Sequence, residues 1–296
     1  MSIDALHRFL FEGSNIRGEI VQLEHSWKAL CERQDYPGVI REVLGQATAA
    51  GALLAATIKF DGSLTLQLST DGLLKFMVVE CTGEHTLRGL ARWNEDEIED
   101  LDSGTEKRLL GVGNLIMTVD QGADSERYQS IIELDGDHLS DCLDTYFQRS
   151  EQLPTRLWLA SDGQRAAGLL IQEMPKPPLE TDPDLWNRVT TLAATVSEEE
   201  LLSLEPNQLL QRLFHEETVR VFEPQLWSFR CPCSKDRVES MLRSLGSDEL
   251  HAILDEHGEI NVDCEFCGQV YQYDSVDTEL FLSDDLSIEQ VSKTRH

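Results

Sequence analysis

Basic residues are scarce in this chain. Lys and Arg number 25 against 54 Asp and Glu in 296 residues, a formal net charge of −29. Binding to nucleic acid depends on cationic side chains that neutralise phosphates. The stretch from Cys231 to His296 offers only five basic residues against fifteen acidic ones. This balance argues against a nucleic-acid partner and leaves solubility as the plain use of the charge. Long hydrophobic runs are missing as well: the longest, Ala49 to Ile58, is too short and too alanine-rich to span a bilayer. Met1 to His7 has no basic start followed by an apolar run, so no export signal is read and a cytoplasmic location is expected, where thiols stay reduced. There is no internal repeat, phosphate-cradling glycine loop, nucleophile elbow or His-Glu-x-x-His helix. An enzyme reading has no residues of these kinds to rest on.

What the chain does have is sulfur in a pattern. Four of its seven cysteines fall near the C-terminus as Cys231-Pro-Cys233, a gap of thirty residues, then Cys264-Glu-Phe-Cys267-Gly. Four thiolates in two tight pairs meet the soft-ligand, tetrahedral demand of Zn²⁺ and leave no coordination position open, so the expected site is structural, with one Zn²⁺ per chain. The Cys-x-x-Cys half alone is a weak signal; the rarer Cys-x-Cys half, turned at Pro232, makes the combination a strong one. A thioredoxin-like dithiol at Cys264 and Cys267 would need a strand–helix setting, whereas Gln269 to Tyr273 after the knuckle reads as a strand. His251 and His257 lie between the pairs and read as exposed helix residues. Cys31, Cys81 and Cys142 are isolated and read as core thiols.

The pattern of the chain predicts an α+β protein. Residues 1–175 read as a domain of mixed or antiparallel sheet with helices. Strands are expected at Leu10–Phe11 and Ile16–Leu23, then a long helix from Tyr36-Pro37 to about Ala56. A hairpin follows, with Leu64, Leu66 and Leu68 on one face, a turn at Asp71-Gly72 and a return over Leu74–Cys81. Further strands are expected at Thr86–Trp93, Leu115–Val119, Tyr128–Leu134, Arg156–Ala160 and Ala166–Gln172, with a helix over His138–Arg149. Pro175-Lys-Pro-Pro178 marks a boundary. Residues 176–230 read as a helical linker: a stripe of Leu185, Val189, Leu192 and Val196, a capping box at Ser197–Glu200, and a helix opened by Pro206. Residues 231–296 read as the small tetrathiolate module, with helices capped by Ser234 and Ser247.

Oxidisable sulfur gives the module a second identity. A metal shared by Cys233 and Cys264 would close a long loop, constraining the unfolded chain by roughly 3–4 kcal/mol on the loop-entropy model. A small segment with few large apolar side chains depends on such a staple. Disulfides within each pair would close only tiny loops and provide no link between the halves. A cross-pair disulfide would preserve the long staple.

These residues resemble the redox-regulated heat-shock holdases of the 33-kDa chaperonin family. The resemblance rests on Cys231-x-Cys233, the thirty-residue gap and Cys264-x-x-Cys267. It extends through Leu10-Phe-Glu-Gly13, Lys59-Phe-Asp-Gly62, Arg88-Gly-Leu-Ala-Arg92, Glu126-Arg-Tyr-Gln129, Tyr146-Phe-Gln-Arg-Ser-Glu-Gln-Leu-Pro-Thr-Arg156 and Ala166-Ala-Gly-Leu-Leu-Ile171. It implies an inactive, reduced zinc form and an oxidised homodimer with disulfides Cys231–Cys233 and Cys264–Cys267. It further implies ATP-independent binding of unfolding client proteins under oxidative stress and their release to downstream ATP-dependent foldases. Two alternatives stand beside it: a constitutive zinc-stabilised adaptor, and a disulfide reductase or isomerase using Cys264 and Cys267.

Overall fold

A computed structural model describes residues 4–58, 61–95, 109–122, 127–134, 136, 138–175 and 182–282. Lys59, Phe60, Glu126, the run 176–181 and the tail 283–296 lie outside the described residues. By Cα proximity the chain forms two units, Met1–Arg230 and Cys231–His296.

The first unit is α+β and is built around one helix. Strands β1 (Ala5–Phe11) and β2 (Ile16–Leu23) precede helices α1 (His25–Cys31) and α2 (Gly38–Thr57); then come β3 (Ser63–Thr70), β4 (Leu74–Thr82), β5 (Thr86–Trp93), β6 (Gly113–Asp120) and β7 (Tyr128–Glu133). After α3 (Leu139–Tyr146) follow β8 (Thr155–Ser161) and β9 (Ala166–Glu173). One sheet has the order β1-β2-β9-β8, the other β5-β4-β3-β6-β7, with antiparallel neighbours throughout these runs. Helix α2 packs against strands of both sheets. Its composition permits this: Ala47, Ala49, Ala50, Ala52, Ala55 and Ala56 are all buried. At Gly45 an added Cβ would lie 1.9 Å from Ser161 Oγ. It is long and apolar enough to cross a membrane, but 78% of that window is buried inside the protein, as befits a core helix. Its last carbonyls are met by two guanidinium groups, Arg8 Nη2 to Ala56 O at 2.7 Å and Arg17 Nη2 to Thr57 O at 3.5 Å, which also oppose the negative end of the helix dipole.

The first sheet is covered on both faces, which explains the unbroken apolar run of β9. Ala166 and Leu170 join the core around α2, while Ala167, Leu169 and Ile171 join a second core. Helices α4 (Leu185–Ala193), α5 (Glu198–Ser203) and α6 (Pro206–Phe214) supply the other half of that second core. Leu185, Val189, Leu201, Leu209, Leu213 and Phe214 pack against Phe9, Phe11, Ile16 and Ile20 of the sheet. Phe214 meets Phe11 edge to face at 5.1 Å between ring centres. The expected capping box is present, with Ser197 Oγ accepting from Glu200 N at 3.2 Å and Glu200 Oε2 accepting from Ser197 N at 3.0 Å. Polar pins hold the helices down: Gln22 Nε2 donates to Leu201 O and Leu204 O at 2.9 and 2.8 Å.

The last part of the stretch read as helical linker is extended instead. Three short strands, β10 (Val219–Val221), β11 (Gln225–Leu226) and β12 (Ser228–Phe229), run along two sheet edges. β10 and β11 pair antiparallel with β1, and β12 pairs parallel with β5. Val219 and Val221 are β-branched and Pro224 cannot continue a helix, so local preference agrees with this outcome. The helix expected to reach Arg149 is α-helical only to Tyr146 and ends in a π turn over Phe147–Glu151, with Gln152 at a φ of 54°.

The second unit comprises α7 (Lys235–Leu245), α8 (Ser247–His257) and the hairpin β13 (Ile260–Asp263) and β14 (Val270–Tyr273). Ser234 caps α7 as expected, accepting from Arg237 N at 3.3 Å. Ser247 is the first residue of α8 rather than its cap; Gly246 occupies the cap at a φ of 93°. The apolar core of this unit is small, consisting of Val238, Leu242, Leu250, Ile260, Tyr273 and Phe281 among the described residues.

Candidate metal centre

The two cysteine pairs come from different local structures. Cys231 and Cys233 lie in the irregular stretch before Ser234, the residue that starts α7. Cys264 and Cys267 lie in the turn that joins β13 to β14. That turn closes on its own backbone: Cys267 N and Gly268 N both donate to Cys264 O, at 3.2 and 2.7 Å, and Cys264 N donates to Gln269 O at 2.9 Å. Gly268, at a φ of 67°, supplies the left-handed residue on which the turn reverses. The hairpin register, Asp263 opposite Val270, fixes both arms of the knuckle.

The fold brings all four sulfurs together. They lie within 4.8 Å of one another, each residue half-buried, with Cys231 Sγ to Cys264 Sγ at 3.6 Å and Cys233 Sγ to Cys267 Sγ at 3.3 Å. A zinc tetrahedron with bonds of about 2.3 Å needs sulfurs about 3.8 Å apart. The cluster is close to that spacing, and its donor set is all sulfur, so Cys231, Cys233, Cys264 and Cys267 fit a soft divalent ion. Two of the short contacts cross from one pair to the other, so the ion would join points more than thirty residues apart.

The four thiols are not equivalent. Burial pushes the Cys233 thiol up, but a hydrogen bond from the Tyr271 hydroxyl, with those from the other three sulfurs, more than offsets it and holds the thiol down at about 7. Burial raises Cys267, pushed up to about 12, and also raises Cys231. Tyr271 was not singled out by sequence reasoning. The alternation of β14 was the available signal, because it sets Tyr271 on the same face as the buried Tyr273. His251 and His257 stay outside the cluster; the His251 ring is held by Glu279 Oε1 at 2.8 Å. Cys81 and Cys142 are buried and Cys31 half-buried, all in the first unit, with burial pushing Cys31 up to about 12.

A family model described as Hsp33 protein matches residues 4–274. The chain belongs to the Hsp33 family. A 33 kDa chaperonin from Nitrosococcus oceani is 49% identical over 294 residues, covering 99% of each chain. One from Pseudomonas aeruginosa is 43% identical over 299 residues, again covering 99% of each. The crystal structure of the 33 kDa chaperonin from Thermotoga maritima superposes with a TM-score of 0.80 at 21% identity, covering 96% of this chain and 99% of that one. That structure speaks for the fold alone; the family rests on the sequence matches. Hsp33 proteins are chaperones rather than enzymes, so the reductase alternative falls away.

Proposed function

We propose that this Hsp33 chaperone is an ATP-independent holdase switched on by oxidation of Cys231, Cys233, Cys264 and Cys267. The observation that carries the reading is the meeting of four sulfurs within 4.8 Å in a unit whose described residues bury only six apolar side chains in their core. Bound Zn²⁺ would supply a closed tetrahedral cross-link with no position open for substrate. Oxidation of four thiols to two disulfides removes four electrons; two molecules of hydrogen peroxide accept them and become four waters. No thiolate then remains to hold an ion. Pairing as Cys231–Cys233 and Cys264–Cys267 leaves the halves of the unit unlinked, and a core of six residues is too small to hold them. Loss of order then spreads along the chain into residues 176–230, the proposed linker, whose helices α4 to α6 cover Phe9, Phe11, Ile16, Ile20, Leu169 and Ile171. On this reading residues 1–175 form the chaperone domain and residues 231–296 the switch. Uncovered apolar surface binds unfolding clients, and the charge of −29 keeps the complexes in solution. The oxidised form is a homodimer in the cytoplasm, and its clients pass to ATP-driven foldases.

The test is light scattering of a thermally aggregating client with reduced and with oxidised protein, alongside zinc and thiol counts. The expected result is suppression by the oxidised form only, with one Zn²⁺ released and four thiols lost per chain. A dominant cross-pair disulfide, such as Cys231–Cys264, would defeat the unfolding argument, because it keeps the long staple closed.

A further inference from the structure

Two sheet edges of the first unit are closed by the same short segment. Residues 219–229 run along the outer edge of β1 and then cross to the outer edge of β5. The attachment is chiefly main chain. Glu12 N donates to Thr218 O, Phe222 N to Arg8 O and Trp227 N to Asp4 O, each at 2.9 Å; Ser228 N reaches His85 O at 3.1 Å and Arg230 N reaches Leu87 O at 3.0 Å. Side chains add three contacts: Trp227, 4% exposed, sits in the core around α2, and half-buried Phe229 and Val219 pack against the two cores, whereas Val221, Phe222 and Leu226 are 37%, 45% and 65% exposed. Two polar atoms of the segment, Gln225 Oε1 and Trp227 Nε1, are buried with no hydrogen-bond partner among the described residues. A strap held by backbone pairing and one aromatic anchor is read by shape, not by sequence.

We propose that the β1 edge under this strap is a client-binding edge, and that an extended segment of an unfolding polypeptide replaces residues 219–227 as an antiparallel strand on β1. The inference rests on the holdase reading and deepens it, naming a place and a pairing geometry for the client. An uncovered strand presents a row of unpaired N–H and C=O groups that any extended chain satisfies. The strap is itself such an occupant, seated in register with Phe9 opposite Val221 and Leu6 opposite Gln225. A cavity of about 540 Å³ lies beside the edge, lined among others by Arg8, Ala56, Ile58, Phe222 and Trp227. With Trp227 withdrawn, that space takes a large apolar side chain of the client. The trigger is covalent: Arg230, the residue paired with β5, is followed directly by Cys231, the first ligand of the proposed switch. Disorder of the segment after Arg230 releases the strap at one end, and the rest is held by main-chain pairing, the Trp227 anchor and the packing of Phe229 and Val219.

The test is competition on oxidised full-length protein carrying a fluorescent unfolded client. A synthetic peptide of residues 217–229 should displace the client. The same peptide N-methylated at Phe222 and Trp227 keeps its side chains but cannot donate to Arg8 O and Asp4 O, and should need at least tenfold more. Equal potency of the two peptides, or no displacement by either, overturns edge pairing in favour of attachment to the apolar face beneath α4 to α6. In a second arm, Trp227→Ala in the full chain, kept reduced and zinc-loaded, should bind client at least tenfold better than wild type; a folded, zinc-loaded variant that binds no better also overturns the proposal. Client suppression by oxidised wild type is measured in parallel. Its absence would bring down the holdase reading and this inference together, whereas its presence with inert peptides brings down the edge alone.

Discussion

The two units reach order by different means. Met1–Arg230 has two apolar cores, one around α2 and one between the first sheet and helices α4 to α6, and both faces of the first sheet contribute to them. Cys231–His296 has six buried apolar residues in its core among those described, and two apolar residues of α7, Met241 and Leu245, are 45% and 51% exposed. Burial can hold the first unit; on the proposed reading the second depends on a cross-link. The difference teaches where a chemical signal acts. A reagent that attacks sulfur would then reach the unit that sulfur holds, and leave intact the one held by hydrocarbon.

The largest effect should follow from breaking the cross-link. Cys264→Ser removes one of four thiolates and should abolish tight zinc binding, of which about 10–16 kcal/mol is typical for structural sites. Hydrogen exchange should then become fast from about residue 231 onward while β3, β4 and β6 stay protected. Slow exchange persisting in α7 and α8 would mean the six-residue core suffices, and the contrast between the units would collapse.

Next in size is Phe214→Ala, which removes a ring 2% exposed and stacked on Phe11. A loss of about 3–5 kcal/mol is expected. Its signature is loosened exchange over residues 185–214, with client binding before any oxidant is added. Uniform destabilisation of the whole first unit would instead show that these helices cannot detach separately.

A third effect depends on pH. Burial raises the Glu19 carboxyl from 4.5 to about 7, against the pull of Arg17 and of Arg8, whose Nε lies 3.6 Å away. Between those values the folded chain keeps a proton that the unfolded chain has released, so stability falls as pH rises from about 4.5 to 7. Asp144, half-buried and raised by that burial to about 7, adds to the slope. Glu19→Gln should flatten part of this dependence and raise the melting temperature above pH 7, by up to about 3 kcal/mol of stability. Thermal melts at pH 5 and pH 8 decide it, and an unchanged slope would place the charge elsewhere.

Much of the fold was readable because its causes are local. The alternation of Leu64, Leu66 and Leu68 gave a strand whose three leucines are wholly buried, and Ser197 with Glu200 announced α5. The cysteine pairs announced their cluster by spacing alone. What escaped has distant causes. Helix α1 has no side-chain cap of its own; the amides of Glu24 and Ser26 are met by Asp4 Oδ1, at 2.8 and 3.2 Å, from twenty residues earlier. The strap strands are two or three residues long and pair with strands that precede them by well over a hundred positions. No local window contains either partner.

The smallest effects sharpen the comparison from the other side. Ser197→Ala should cost about 0.5–2 kcal/mol through the lost cap, visible as a modest fall in melting temperature with zinc content unchanged. Cys31→Ala should alter neither zinc content nor the oxidant response. A fall in zinc stoichiometry in that variant would mean the metal site draws on the first unit.

Strand β9 allots its residues by parity. Ala166 and Leu170 face the core around α2, Ala167, Leu169 and Ile171 the core that the proposed activation would uncover. Mutational tolerance along these few positions should therefore oscillate with a period of two and differ in kind. At even positions a polar replacement yields misfolded protein. At odd positions, on the proposed reading, it yields protein that folds and loses its restraint. The requirements of a stable molecule and of a restrained one would thus fall on interleaved sites of a single strand.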